Sequence, residues 1–197
     1  MKQVTLRFAT TNRGKIREAR EVLSTFGIQI EPLAVDFAEP KEGTISDVAL
    51  AKLTQVRKQG YQNVMVEDSG IFFAAYSDFP GVLSKRVFQG IGYKGIEKLL
   101  VGESRKAWFE GAVAVYWHGQ TKIFSAKTYG RIVPYHLQNL QPEAGLPYDP
   151  IFVPRGETKV FRELPFDKRL EHSYRRKALE KMAKWIKTFN KNPSIEL

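Results

Sequence analysis

The chain has 197 residues, 43% hydrophobic and 26% charged, proportions that suit one soluble globular domain spanning 1–197. It has no cysteine, which excludes a disulfide framework, a thiolate metal site and a thiol nucleophile; three histidines against 21 acids make a carboxylate-held hard cation the expected metal. A net charge of +10 favours anionic partners, while the absence of a ~20-residue apolar stretch or of a signal-peptide core in MKQVTLRF argues against a membrane and for a cytoplasmic setting.

In chain order, Val4 to Ala9 reads as a first strand. Residues 13–26 place Ile16, Ala19, Leu23 and Phe26 on one helical face, with Gly27 as the stop. A short strand, Ile28 to Leu33, precedes a helix with Ser46 as its expected N-cap, Ala49, Leu53 and Val56 inward, and Gly60 at its end. Val64 to Val66 reads as a strand ending in an acidic pair, with Ile71 to Ala75 as another strand and a short helix predicted over 93–101. Ala107 to Trp117, the turn His118-Gly119 and Gln120 to Tyr129 make a long hairpin. Pro134 to Pro154 carries five prolines and is expected to be loop, with one short strand from Ile151 to Val153. The last element is a helix from about Ser173 to Phe189, with Leu179, Met182, Ala183, Ile186 and Phe189 on its apolar side. Mixed helix and sheet argues for an α/β fold with one hairpin-rich lobe.

Four stretches carry chemistry. TTNRGKIRE, residues 10–18, is a polar turn between strand and helix; helix N-terminal amides and Lys15 attract phosphate there, although the P-loop spacing is absent. FAEPKEG, residues 37–43, offers Glu39 and Glu42 in a loop. VEDSG, residues 66–70, sets Glu67 beside Asp68. Strand neighbours point to opposite faces, so the two share one ion only if the chain bends, which Gly70 permits; Mg²⁺, taking one or two carboxylates plus phosphates, is the natural occupant. The stretch from GLPYDPIFVP to EHSYRRKAL gives an aromatic–acid loop and then Arg175, Arg176 and Lys177, where a phosphate or nucleobase site and a solvated helix start both fit. The charge is uneven: residues 168–191 hold nine Lys/Arg against two Glu.

TTNRGK, VEDSG, FPGVLSKRV, YDPIFVP, F-x-E-L and S-Y-R-R-K-A-L stand in the order and spacing of one family, from about residue 6 to residue 187. The chain resembles the noncanonical purine nucleoside triphosphate pyrophosphatases, the inosine/xanthosine triphosphate pyrophosphatase family, and most closely its archaeal and eukaryotic branch. The resemblance implies two lobes around a long twisted mixed sheet, a nucleotide cleft between them, a homodimer, and Mg²⁺-dependent hydrolysis of ITP, dITP and XTP to monophosphate and pyrophosphate, which cleanses the nucleotide pool. It further implies Asp68, Lys15 and Lys52 as catalytic residues and Glu39, Glu67 and Asp68 as metal ligands. The implied substrate contacts are Thr10, Asn12, Lys15, Ser69, Tyr148, Asp149, Arg169, Tyr174 and Arg175.

The departures lie at the base. Leu146 stands where the family places a stacking aromatic, Tyr174 where it places histidine, and Arg169 where it places lysine; His172 is displaced by two positions. Two other readings stand beside this one: a pyrophosphatase with shifted base specificity, and a nucleic-acid-binding protein that uses the basic C-terminal helix, in which the acidic pair has no role.

Overall fold

A computed structural model describes residues 4–38, 40–134, 140–142 and 146–191. Its elements in order are β1 (Val4–Ala9), α1 (Arg13–Ser24), β2 (Ile28–Leu33), α2 (Ile45–Lys58), β3 (Val64–Phe73), α3 (Ser84–Leu99), β4 (Lys106–Trp117), β5 (Gln120–Ile132), β6 (Phe152–Pro154), α4 (Phe166–His172) and α5 (Tyr174–Lys191). Among the described residues one mixed sheet runs β2-β1-β3-β4-β5-β6. Its first half is parallel, with β1 between β2 and β3; its second half, from β3 through the long β4–β5 hairpin to β6, is antiparallel. The chain is thus α/β.

Period-2 alternation on β3 settles which helix each side chain meets. Met65 joins the core formed by Leu6, Phe8, Leu23, Val113 and the apolar side of α5, whereas Val64, Val66 and Phe72 join Ala49, Leu53 and Val56 of α2. Odd positions in the first half of β3 therefore face α1 and α5, and even positions face α2. A third cluster, built from Phe73, Ile96, Phe109, Phe152 and Phe161, fills the antiparallel end beneath α3.

Several expectations are corrected by local chemistry. The strand does not stop at Val66: β3 continues without a break to Phe73, because β4 pairs with it residue by residue from Val64 opposite Tyr116 to Phe73 opposite Ala107. Gly70 consequently makes no bend. Its lack of a side chain serves a close approach, since a Cβ there would collide with the Gly81 carbonyl. Thr44, not Ser46, caps α2; its hydroxyl accepts from the Asp47 amide at 3.1 Å while the Asp47 carboxylate accepts from the Thr44 amide at 2.9 Å, a reciprocal cap that contributes about 1 kcal/mol. The helix expected over 93–101 begins nine residues earlier, at Ser84, and crosses a non-helical Gly92 at φ 55°. The short strand lies at Phe152–Pro154, and α4 precedes α5 where only α5 was expected. Residues 135–139 and 143–145 of the proline-rich stretch lie outside the described residues.

Candidate active site

A cleft of about 490 Å³ opens over the end of β1, the middle of β3 and the start of α3. Its polar end is built by three elements. The loop after β1 closes on itself, the Asn12 amide donating to Thr10 Oγ1 at 3.2 Å, and Asn12 Oδ1 then caps α1 by accepting from the Lys15 amide at 3.1 Å. That cap starts the helix and aims Lys15 across the sheet, where its Nζ lies 2.6 Å from Glu67 Oε2. From the opposite face α2 brings Lys52, buried along its stem, with Nζ 2.6 Å from Asp68 Oδ1.

Glu67 and Asp68 therefore do not share one ion on a bent chain. The continuous strand sends them to opposite faces, and each meets its own lysine. Glu67 is enclosed further, because Arg175 Nε lies 3.2 Å from Oε1, and Arg175 is held in turn by Glu18 Oε2, 2.5 Å from its NH1. Ser173, whose hydroxyl donates to Glu18, accepts from the Arg176 amide at 3.1 Å and so starts α5 at the point that delivers Arg175. The chain Lys15–Glu67–Arg175–Glu18 ties α1, β3 and α5 together.

The electrostatics of the two acids differ accordingly. Burial alone would raise Glu67, but Arg175 and Lys15 outweigh it and hold the carboxyl at about 2. Burial raises Asp68 and is not overcome by Lys15 and Lys52. Burial works against the Arg175 charge, but Glu67, Tyr174 and Glu18 raise its pKa well above the usual arginine value. Glu67's side chain is fully out of solvent and Asp68's is 14% exposed, so Asp68 is the more accessible of the two carboxylates lining the cleft. No cluster of three or more metal-ligating acids or histidines occurs among the described residues. Glu39 lies outside them, and Glu42 is exposed in the same loop.

The other end of the cleft is aromatic. Tyr148 is buried, its hydroxyl donating to the Ser84 carbonyl at 2.8 Å, and its ring meets Phe73 and Phe88 edge-on at 6.2 and 5.6 Å. Tyr174 stacks on Phe109 at 5.4 Å and accepts from Arg175 NH2 at 3.1 Å; burial pushes its phenol far up, so it stays protonated. Gly111, opposite Ser69 on β4, makes room for this ring: any Cβ there would strike it.

Of the residues expected to contact substrate, Thr10, Asn12, Lys15, Ser69, Tyr148, Asp149, Tyr174 and Arg175 line this one cleft, together with Lys52, Glu67 and Asp68. Arg169 is not among the lining residues; its guanidinium donates to the carbonyls of Leu164 and Arg162, both at 3.3 Å. His172 ends α4 and pairs with Glu157 at 2.8 Å. The sequence reading missed Glu18, although its position three residues after Lys15 on α1 places both on one helical face. It also missed the α3 wall of Ser84, Lys85, Phe88 and Gln89, because the helix was started too late to give those residues a common face.

A model of the Ham1 family matches residues 6–185. A dITP/XTP pyrophosphatase of Methanopyrus kandleri is 39% identical over 182 residues, covering 91% of this chain and 95% of that one. An inosine triphosphate pyrophosphatase of Yarrowia lipolytica is 33% identical over 178 residues, covering 89% and 92%. A solved Ham1 protein from Coxiella burnetii shares the fold, with a TM-score of 0.75 at 24% identity over 94% of this chain and 99% of that one.

Proposed function

The chain belongs to the Ham1 family, and on that premise we propose that it hydrolyses the noncanonical purine nucleoside triphosphates dITP, XTP and ITP to the monophosphate and pyrophosphate. The observation that carries the proposal is Asp68, raised by burial, facing a cleft in which Lys15, Lys52 and Arg175 converge. Such a cleft suits a polyanion beside a proton acceptor.

Asp68 takes a proton from water as the water oxygen attacks the α-phosphorus. The bond from that phosphorus to the bridging oxygen breaks, and the electron pair leaves with pyrophosphate. Lys52, 2.6 Å from Asp68, keeps the carboxylate in place and stabilises charge on the phosphates. Lys15 does the same from the α1 side, and Glu67 holds Lys15 and Arg175 where the triphosphate passes. Raised by burial, Asp68 is a better base than an ordinary carboxylate, because efficiency grows as the catalytic pKa approaches the working pH.

The donor set fits Mg²⁺, which keeps several waters and needs only one or two carboxylates plus phosphates. Asp68 would supply the accessible carboxylate and Glu39 the second that the resemblance implies; Glu67, on the other face of β3 and paired with Lys15, would not face the same ion. When bound, the ion would neutralise phosphate charge and sharpen the electrophile. Cytoplasmic location and a homodimer belong to the same proposal. No helix among the described residues is long and apolar enough to cross a membrane. A shifted base preference is the second reading, favoured by Leu146 and by a Tyr174 whose hydroxyl already accepts from Arg175.

Pyrophosphate release from ITP, dITP, XTP, GTP and ATP, each with Mg²⁺ and with EDTA, tests this. Release from the first three that stops with EDTA is expected. Stepwise orthophosphate release, or full activity in EDTA, would overturn it.

A further inference from the structure

Resting on that reading, we infer that Phe88 of α3 is the ring on which the substrate's base stacks. Five described rings line the cleft: Phe37, Phe88, Phe109, Tyr148 and Tyr174. Phe109 and Tyr174 are each 7% exposed and lie against one another at an interplanar angle of 23°, with the Arg175 guanidinium 5.2 Å from the Tyr174 ring. Their faces are occupied. Tyr148 is 3% exposed, anchored by its hydroxyl to the Ser84 carbonyl and packed against the rings of Phe73 and Phe88, so its faces belong to the wall. Phe37 lies 5.6 Å from Lys52 Nζ, the lysine paired with Asp68, and so belongs to the reacting end.

Phe88 remains. It is only partly buried, and the two rings that touch it, Tyr93 at 4.9 Å and Tyr148 at 5.6 Å, stand nearly perpendicular to it at 76° and 66°. They fix its plane, and no described ring stacks parallel to it. Tyr93 also donates to the Pro147 carbonyl at 2.8 Å, which ties the α3 wall to the turn carrying Leu146 and Asp149. Leu146 on that turn offers no ring, and the helix beside it supplies one, preset by edge contacts and so costing little ordering on binding.

The test is calorimetric binding of α,β-imido inosine triphosphate and of inorganic tripolyphosphate to the full chain with Mg²⁺. Phe88→Leu keeps apolar packing but removes the ring. It should weaken the nucleotide analogue about 5- to 150-fold and leave tripolyphosphate unchanged. Phe88→Trp should bind the analogue at least as well, with indole fluorescence quenched by the analogue and not by tripolyphosphate, measured against the wild-type background. Unchanged analogue affinity in Phe88→Leu, or equal weakening of both ligands, overturns the inference. Should Phe88→Leu fail to fold, absence of quenching in Phe88→Trp does so alone. A wild type that binds the analogue yet releases no pyrophosphate from any purine triphosphate counts against the proposed reaction and leaves the stacking to be decided by the same titrations.

Discussion

At one end of the cleft, Glu67 and Asp68 project from opposite faces of β3 and each meets a lysine at 2.6 Å. At the other, Phe88 touches the rings of Tyr148 and Tyr93, Tyr174 stacks on Phe109, and the tyrosine hydroxyls bond to backbone or to Arg175. The polar end gains geometry from charge: removing one member leaves a buried opposite charge uncompensated, so every member is constrained. The aromatic end gains geometry from packing, which tolerates exchange of one ring for another at a neighbouring position. The difference accounts for the two departures that the resemblance implies, Leu146 and Tyr174, both lying at the aromatic end.

The sharpest way to break the comparison is Asp68→Asn. As the proton acceptor, Asp68 should account for about 10²- to 10⁴-fold in kcat, with affinity for the imido analogue kept within a few-fold. A kcat near wild type, read as pyrophosphate release, sinks the assignment of the base.

Glu67→Gln tests the polar end through stability. The carboxylate sits between Lys15 and Arg175 with its side chain fully buried, so its loss strands Lys15 and leaves Arg175 to Glu18 alone, and should cost about 3–5 kcal/mol in denaturant unfolding. A cost below about 1 kcal/mol would mean that water, not Glu67, compensates the pair.

The two acids should also separate by pH. Glu67 is depressed in the fold, so it contributes stability above its unfolded value near 4.5, and that contribution is lost as pH falls through about 2. Wild type should lose stability across that window, and Glu67→Gln should lose less. Asp68 is raised, so the acid limb of kcat/KM should lie above the value of an ordinary aspartate. Lys52→Met removes a cation that lowers it and should move the limb to still higher pH. A limb that stays put in Lys52→Met would detach that limb from Asp68.

How far the sequence reached follows the same division. TTNRGK and VEDSG are contiguous stretches whose spacing already implied strand, turn and helix, so Lys15, Glu67 and Asp68 were legible before any fold was known. What it misjudged there was local: a bend at Gly70 was expected because two adjacent acids looked like an ending, whereas pairing with β4 carries the strand through. The aromatic end is assembled from α3, β4, the turn at 146–149 and α5, segments up to about 90 residues apart in sequence. Tyr148 and Tyr174 were reached only through the resemblance, and Phe88 gains meaning only because α3 starts at Ser84. Arg169, which the resemblance implies at the substrate, is not among the residues lining the cleft, and its guanidinium donates to carbonyls of the preceding turn.

The smallest effect expected is at Tyr148, and it decides whether that ring is wall or ligand. Its hydroxyl donates to the Ser84 carbonyl at 2.8 Å in a buried setting, and its ring packs edge-on against Phe73 and Phe88. Tyr148→Phe removes the hydrogen bond and leaves the ring, so stability should fall by about 1 kcal/mol, the net worth of one buried hydrogen bond. Because Phe88 takes its plane from Tyr93 as well as from Tyr148, the stacking surface should persist and KM for ITP should change by less than about threefold. The opposite pattern, a tenfold rise in KM with stability unaltered, would place the phenol against the substrate. Tyr148 would then be the recognition residue, and Phe88 only its support.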